Sequence, residues 1–343
     1  MRLVAVFTSA VFLLAAGCSR SGSPSSEAGA TKAEAATIRH YSGAYPIRIV
    51  TTCGMVTDIV QQVGGNKVAV TGLLGQGVDP HLYKPTRNDV KQLMEAEIVF
   101  YSGLMLEGRM ADTLTRVARG GKLVFAVTEQ IDEKYLREPP DFHGHWDPHV
   151  WMDVTAWSQC VGFIANVLRE FDPGNASHYQ QNATAYRSEL EKLDNYVRQV
   201  IATIPREQRV LVTAHDAFGY FSRAYDIPVA SAQGVSTESE AGVDDINKLF
   251  DMVVAKRIPA IFVESSVNPK NIQAVLEGTA QKGHKVAVGG ELFSDAMGKS
   301  NTYEGTYIGM IDHNATTIAR ALGGKAPERG RHGKLTPPDP ATR

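Results

Sequence analysis

Between residues 175 and 204 the chain runs for 30 residues without a glycine or a proline. The apolar residues of this stretch, Tyr186, Leu190, Leu193, Val197, Val200 and Ile201, recur at spacings of three, four and seven, the period of a single amphipathic helix. About 28 helical residues extend roughly 42 Å at 1.5 Å per residue, the length of a whole lobe. A rod of that length in mid-chain dictates its surroundings. It joins two bodies, and it restricts hinge motion far more than two or three extended strands would.

The flanking sequence supplies those bodies. Upstream, strand-like runs at 47–50, 67–74, 98–101 and 123–127 alternate with helical spacing at 55–63, 86–96 and 108–119. Downstream, a second series of the same kind passes through 210–212, 227–230, 243–255, 261–263, 271–281, 286–288 and 306–322. Alternation of this kind argues a parallel sheet with helices on both faces, and the short apolar runs suit strands covered on each side. The expected fold is α/β: two lobes, 45–174 and 205–322, each with a parallel sheet flanked by helices, joined by one long backbone helix at 175–204. Residues 323–343, rich in Gly, Pro and charge, read as a loose tail.

The amino terminus places the chain. Arg2, apolar residues 3–16 and small residues leading into Cys18 have the arrangement of a secretory signal. The apolar run of about 14 residues is short of the roughly 20 a membrane span needs. A cysteine directly after Ala16-Gly17 resembles the lipobox of bacterial lipoproteins, so residues 1–17 read as a signal peptide, Cys18 as the lipidated residue that anchors the chain to a bacterial membrane, and 18–44 as a flexible tether too poor in apolar residues to fold. The chain then faces the periplasm or the cell exterior. Thirty-five basic against 37 acidic residues, a formal net charge of -2, leave no electrostatic footprint for nucleic acid. Cys53 and Cys160 read equally as a disulfide or as two buried thiols.

Four loop segments carry the chemistry. Asp79-Pro80-His81, Asp147-Pro148-His149, Ala214-His215-Asp216 and Phe293-Ser294-Asp295 each place a potential metal ligand beside an apolar run. Three imidazoles and one carboxylate, His81, His149, His215 and Asp295, form a complete set for a borderline divalent ion such as zinc. Ligands collect at the carboxyl edge of open parallel sheets, and two candidates fall in each lobe, so facing edges would bring all four to the cleft. Asp79, Asp147 and Asp216 stand one or two residues from a candidate histidine and are candidates to orient its ring, as is Glu264 at the end of Ile261-Phe262-Val263. Pro80 and Pro148 stiffen the backbone before the ligand. Trp151 and Phe218 are candidates to wall the site from water. Gly298-Lys299-Ser300 imitates the end of a phosphate loop, but Phe293 stands where that motif needs glycine.

On these segments the chain resembles the zinc- and manganese-binding solute-binding lipoproteins of ATP-binding-cassette importers, the TroA-type cluster A-I or bacterial solute-binding protein 9 family. The resemblance covers nearly all of residues 45–322 and rests on Val78-Asp79-Pro80-His81-Leu82-Tyr83, Asp147-Pro148-His149-Val150-Trp151-Met152-Asp153, Val212 through Phe221 around His215, and Gly289 through Gly298 around Asp295. It implies one metal ion, Zn2+ or Mn2+, held between the lobes by His81, His149, His215 and Asp295 as transported cargo, with an ABC permease and its ATPase as partners and the protein itself a monomer. Histidine at the third position goes with zinc or mixed zinc and manganese binding in this family, and a nitrogen-rich set favours zinc. A long His- and acid-rich loop often precedes the second ligand in dedicated zinc members. Only Asp141-Phe142-His143-Gly144-His145 stands here, with His143 and His145 as candidate auxiliary metal collectors.

Two rival functions remain open at this level. An extracytoplasmic zinc hydrolase would need a bound water and a general base; the chain has no His-Glu-x-x-His segment, and Glu264 is the one plausible base. A metal-binding surface adhesin has only the location in its favour. The sequence therefore reads as a binding protein and not an enzyme.

Overall fold

The computed structural model describes residues 38–337; the expected signal peptide, Cys18 and the last residues of the expected tail lie outside them. The N-terminal lobe runs β1 (Ile47–Thr51), α1 (Gly54–Gly64), β2 (Val68–Gly72), α2 (Arg87–Glu95), β3 (Ile98–Tyr101), α3 (Ala111–Arg119) and β4 (Leu123–Ala126). Its sheet is wholly parallel in the order β2-β1-β3-β4, with Ile49 opposite Val70 on one side and Ile98 on the other. Two long helices follow, α4 (Val154–Phe171) and α5 (Ala176–Ala202). The C-terminal lobe continues with β5 (Leu211–His215), α6 (Gly219–Tyr225), β6 (Val229–Gln233), α7 (Val243–Ala255), β7 (Ala260–Glu264), α8 (Lys270–Gln281), β8 (Ala287–Leu292) and α9 (Tyr307–Ala321).

The second lobe differs from a plain four-stranded sheet. Strands β5 and β6 form one parallel pair and β7 and β8 another. Although β5 and β7 lie side by side, no ladder joins them. The backbone N–H groups of Ala214 and His215 donate instead to the Glu264 carboxylate at 2.7 and 2.9 Å. A side chain thus stands in for strand pairing and satisfies donors that burial would otherwise leave orphaned.

Helix α5 is the mid-chain rod. Tyr186, Leu190, Leu193, Val197, Val200 and Ile201 are all buried on it. They belong to one continuous core that also takes Ile59 of α1, Trp157 and Ile164 of α4, and Ile311 and Ile318 of α9. Residues of both lobes therefore share a single interior. Two smaller clusters sit under the outer helices, one beneath α2 and α3 around Leu93 and Leu114, the other beneath α7 and α8 around Leu249 and Ile272. Cys53 and Cys160 are free thiols within the shared core. Burial pushes the Cys53 thiol up to about 12.

The edges of the fold are more ordered than their composition suggests. In the expected tether, the Tyr41 N–H donates to the Phe171 carbonyl and its ring lies 5.3 Å from that of Phe171. In the expected loose tail, the Arg331 N–H donates to both oxygens of the buried Asp312 at 3.0 Å. The Thr336 N–H bonds Glu304 at 2.5 Å, and Leu335 is buried. These contacts have a simple cause. Asp312 and Glu304 are acids on the folded body that need donors, and Gly- and Pro-rich chain can supply backbone N–H groups to an acceptor that no composition count reveals.

Because Leu193 is fully buried in the shared core, Leu193→Ala should lower stability by about 2–5 kcal/mol. The exposed Gln199, six residues on, should tolerate alanine within about 0.5 kcal/mol. Urea denaturation of the two variants checks the contrast, and equal effects would place the core elsewhere.

Candidate metal site

The four segments singled out in the sequence converge. His81 lies in the loop after β2, His149 in the approach to α4, His215 is the last residue of β5, and Asp295 follows β8 by a short turn. One potential ligand atom from each lies within 4.8 Å of all the others. His81 Nε2 is 3.3 Å from His149 Nε2 and 3.8 Å from Asp295 Oδ2. Asp295 Oδ1 stands 3.3 Å from His149 Nε2, and Asp295 Oδ2 3.2 Å from His215 Nε2. Four donors arranged tetrahedrally at about 2.0–2.1 Å around one ion are about 3.3 Å apart; the contacts of 3.2 and 3.3 Å match a zinc-sized dication, and the His81–Asp295 gap of 3.8 Å is wider. His81 and Asp295 are 4 % and 1 % exposed, and the other two are fully buried.

The orientation of the donors is as informative as their spacing. Among the described residues, His215 Nε2 and both Asp295 oxygens are buried without a hydrogen-bond partner, even at contact distance from one another. Unpartnered in this way, these atoms are available to a shared ion. On the opposite side of the rings, the His149 Nδ1–H donates to Asp147 Oδ1 at 2.8 Å, and the His215 Nδ1–H donates to Glu264 Oε2 at 2.5 Å. Each bond selects the tautomer that leaves the Nε2 lone pair facing inward.

The acids named from the sequence divide three ways. Asp147 accepts both the backbone and ring N–H of His149. Asp79, in the same Asp-Pro-His sequence, accepts only the backbone N–H of His81 at 2.8 Å, and its second oxygen accepts the hydroxyl of Thr237 from the other lobe at 2.6 Å. It therefore orients the loop and not the ring. Asp216 makes no hydrogen bond to His215 among the described residues; its carboxyl lines a surface cavity with Arg137 and Asp141. Glu264 takes the place expected of Asp216. His143 and His145 are exposed on the loop before Asp147 and stand outside the cluster of four.

Several supporting residues escaped the sequence reading. Asn314, buried in α9, accepts from the Phe293 N–H at 2.9 Å and donates to the Phe293 carbonyl at 2.7 Å, which pins the turn that carries Asp295. The available signal was an amide, a weak helix former, on an otherwise apolar helix face. Trp151 does wall the His149 ring, at 5.3 Å, and its Nε1–H also grips the Ser294 carbonyl at 2.9 Å. It ties the second ligand loop to the fourth.

Chain comparison agrees with this geometry. Residues 49–321 match the family model described as zinc-uptake complex component A, periplasmic. The chain belongs to that family. It is 46 % identical over 276 residues to the zinc-binding protein TroA of Treponema pallidum, covering 80 % of this chain and 88 % of the relative. It is 45 % identical over 276 residues to the manganese-binding lipoprotein MntA of Bacillus subtilis, covering 80 % and 90 %. The solved structure of the Treponema pallidum periplasmic zinc-binding protein superposes with a TM-score of 0.78 over 80 % of this chain and 99 % of that one. The family's two-lobed α/β architecture with a long linking helix is the one described above.

The protein's own charges set a strong pH dependence. Burial alone would keep His149 neutral, but Asp147 and Asp295 together raise it to about 9. Burial likewise opposes charge on His215, and Glu264 and Asp295 outweigh it, holding this ring well above the usual histidine value. His81, chiefly through burial, is pushed down to about 3. A cation competes with protons for the Nε2 lone pairs of His149 and His215, so higher pH favours the cation until both rings are neutral. Zinc affinity measured by chelator competition should therefore keep rising from pH 6 to about 9, with protons released to the buffer at pH 7. A curve that levels near 6.5, the ordinary histidine value, would contradict this charge balance.

Proposed function

We propose that His81, His149, His215 and Asp295 hold one divalent transition-metal ion as cargo, zinc in preference to manganese. One observation carries the reading: four buried donors, two from each lobe, with one potential ligand atom of each within 4.8 Å of all the others. The relatives do not decide the metal, because one is named for zinc and another, almost equally similar, for manganese. The donor chemistry supports zinc, since three nitrogens and one oxygen favour zinc while oxygen-rich sets favour manganese.

Membership of the family makes this chain an extracytoplasmic solute-binding protein that serves metal import, and the family context implies a membrane permease and its ATPase as partners. We place its anchor at Cys18, with residues 1–17 removed as a signal and the protein acting as a monomer. The transport step needs no bond chemistry. An aquo ion exchanges its water for three neutral imidazoles and a carboxylate, and closure of the cleft excludes solvent. Release then requires a permease that binds one lobe arrangement better than the other, since a partner without differential affinity shifts nothing. The shared core and the single rod favour small lobe movements. The hydrolase reading loses its base, because both Glu264 oxygens already accept protein N–H groups.

Metal analysis of the chain purified without chelators should find one zinc per protein, and added manganese should compete poorly. Alanine at any one of the four positions should weaken zinc by more than the roughly 10–100-fold that loss of an outer partner costs. Native affinity in two or more of these variants would refute the site.

A further inference from the structure

The two buried imidazoles that donate to carboxylates are wired differently at the next step outward. Glu264 behind His215 is met by two backbone N–H groups. Asp147 behind His149 is met by a cation: Arg137 Nη1 lies 2.5 Å from Asp147 Oδ2, while Asp147 Oδ1 holds the ring. Asp147 is fully buried, and the Arg137 side chain is 26 % exposed on the surface cavity it shares with Asp216. A line of three charged or polar groups thus runs from solvent to the candidate ligand.

Arg137 is held by its backbone as well as by its guanidinium. The Arg137 N–H donates to the Tyr220 hydroxyl at 3.1 Å, that hydroxyl donates to the Asp147 carbonyl at 2.8 Å, and the Asp147 N–H donates back to the Arg137 carbonyl at 2.8 Å. The Tyr220 ring faces the guanidinium at 5.5 Å and that of Arg223 at 5.1 Å. Its path depends on one glycine: a Cβ at Gly219 would stand 1.5 Å from Arg137 Nη1. Gly219 is helical, with no positive φ, so the position needs glycine for space and not for backbone freedom.

We infer that Arg137 is a positioning residue for the metal site, fixing Asp147 so that His149 presents Nε2 to the ion, and that Gly219 exists to let it through. This rests on the proposed role of His149 as a ligand. One carboxylate oxygen bound to a guanidinium leaves the other a single direction, whereas an unpaired buried carboxylate is both costly and free to rotate. Outer partners of ligating histidines act on affinity through the same geometry.

The test uses the full chain, zinc competition with a chromophoric chelator, and the visible absorption of bound Co2+. Arg137→Gln should weaken zinc about 10–100-fold and shift the cobalt bands, and Arg137→Lys, which keeps the cation, should restore most of both. Gly219→Ala should reproduce the Arg137→Gln effects with arginine still present, which keeps the test alive where Arg137→Gln fails to fold. In a His149→Ala background, Arg137→Gln should add nothing, since coupled residues are not additive. Unchanged affinity and cobalt bands in Arg137→Gln, with His149→Ala weak, would overturn this inference alone. An equal loss in both backgrounds would also overturn it. Native affinity in His149→Ala would overturn the ligand set and this inference together.

Discussion

The Asp295 carboxylate is an anion taken out of water at the meeting point of two lobes, and the structure around it is organised to keep it there. Burial by itself favours the neutral acid, yet His215 and His149 hold this group well below the usual carboxylate range. The anion in turn helps raise both rings. Among the described residues, neither its oxygens nor His215 Nε2 find a hydrogen bond. Such a cluster is unfavourable unless something compensates it, and a dication in the middle would satisfy all four residues at once. Binding strength and closure of the cleft then come from the same interaction.

Geometry of this kind needs a rigid frame, and the frame is the shared core. Helix α5 packs with α1, α4 and α9, so the apolar interior passes from one lobe to the other without a break. Opening the lobes widely would expose that interior to water, at a cost proportional to the apolar area uncovered. Contacts closer to the site act in the same sense. Trp151 bridges the loops of His149 and Asp295, and Asp79 bridges the His81 loop to Thr237. Release of cargo therefore works against both a common core and specific polar ties.

The three imidazoles are not equivalent. His215 leans on a carboxylate that also serves as a substitute for strand pairing, and His149 on one that answers to a guanidinium. His81 has its backbone N–H capped, but its ring bonds no outer carboxylate among the described residues. It is also the only one pushed toward the neutral state. A site so graded has one ring already prepared for a cation and two that must first release protons.

Much of this molecule was legible in the chain itself. The α5 rod, the alternating elements and the four ligand-bearing segments all follow from periodicity and local chemistry, because a helix face or an Asp-Pro turn is set by residues a few positions apart. Local sequence could not separate Asp79 from Asp147, since the same tripeptide caps the histidine N–H in both and differs only in what lies across the lobe. It offered both Asp216 and Glu264 as acids near the site but could not say which meets His215, and the fold supplies Glu264, 49 residues away. Arg137, Gly219, Asn314 and the docked tail likewise depend on contacts between distant segments. The sequence by itself determined which elements form and which side chains are candidate ligands; only the tertiary structure decided how each donor is aimed and charged, because those properties belong to neighbours that folding alone brings together.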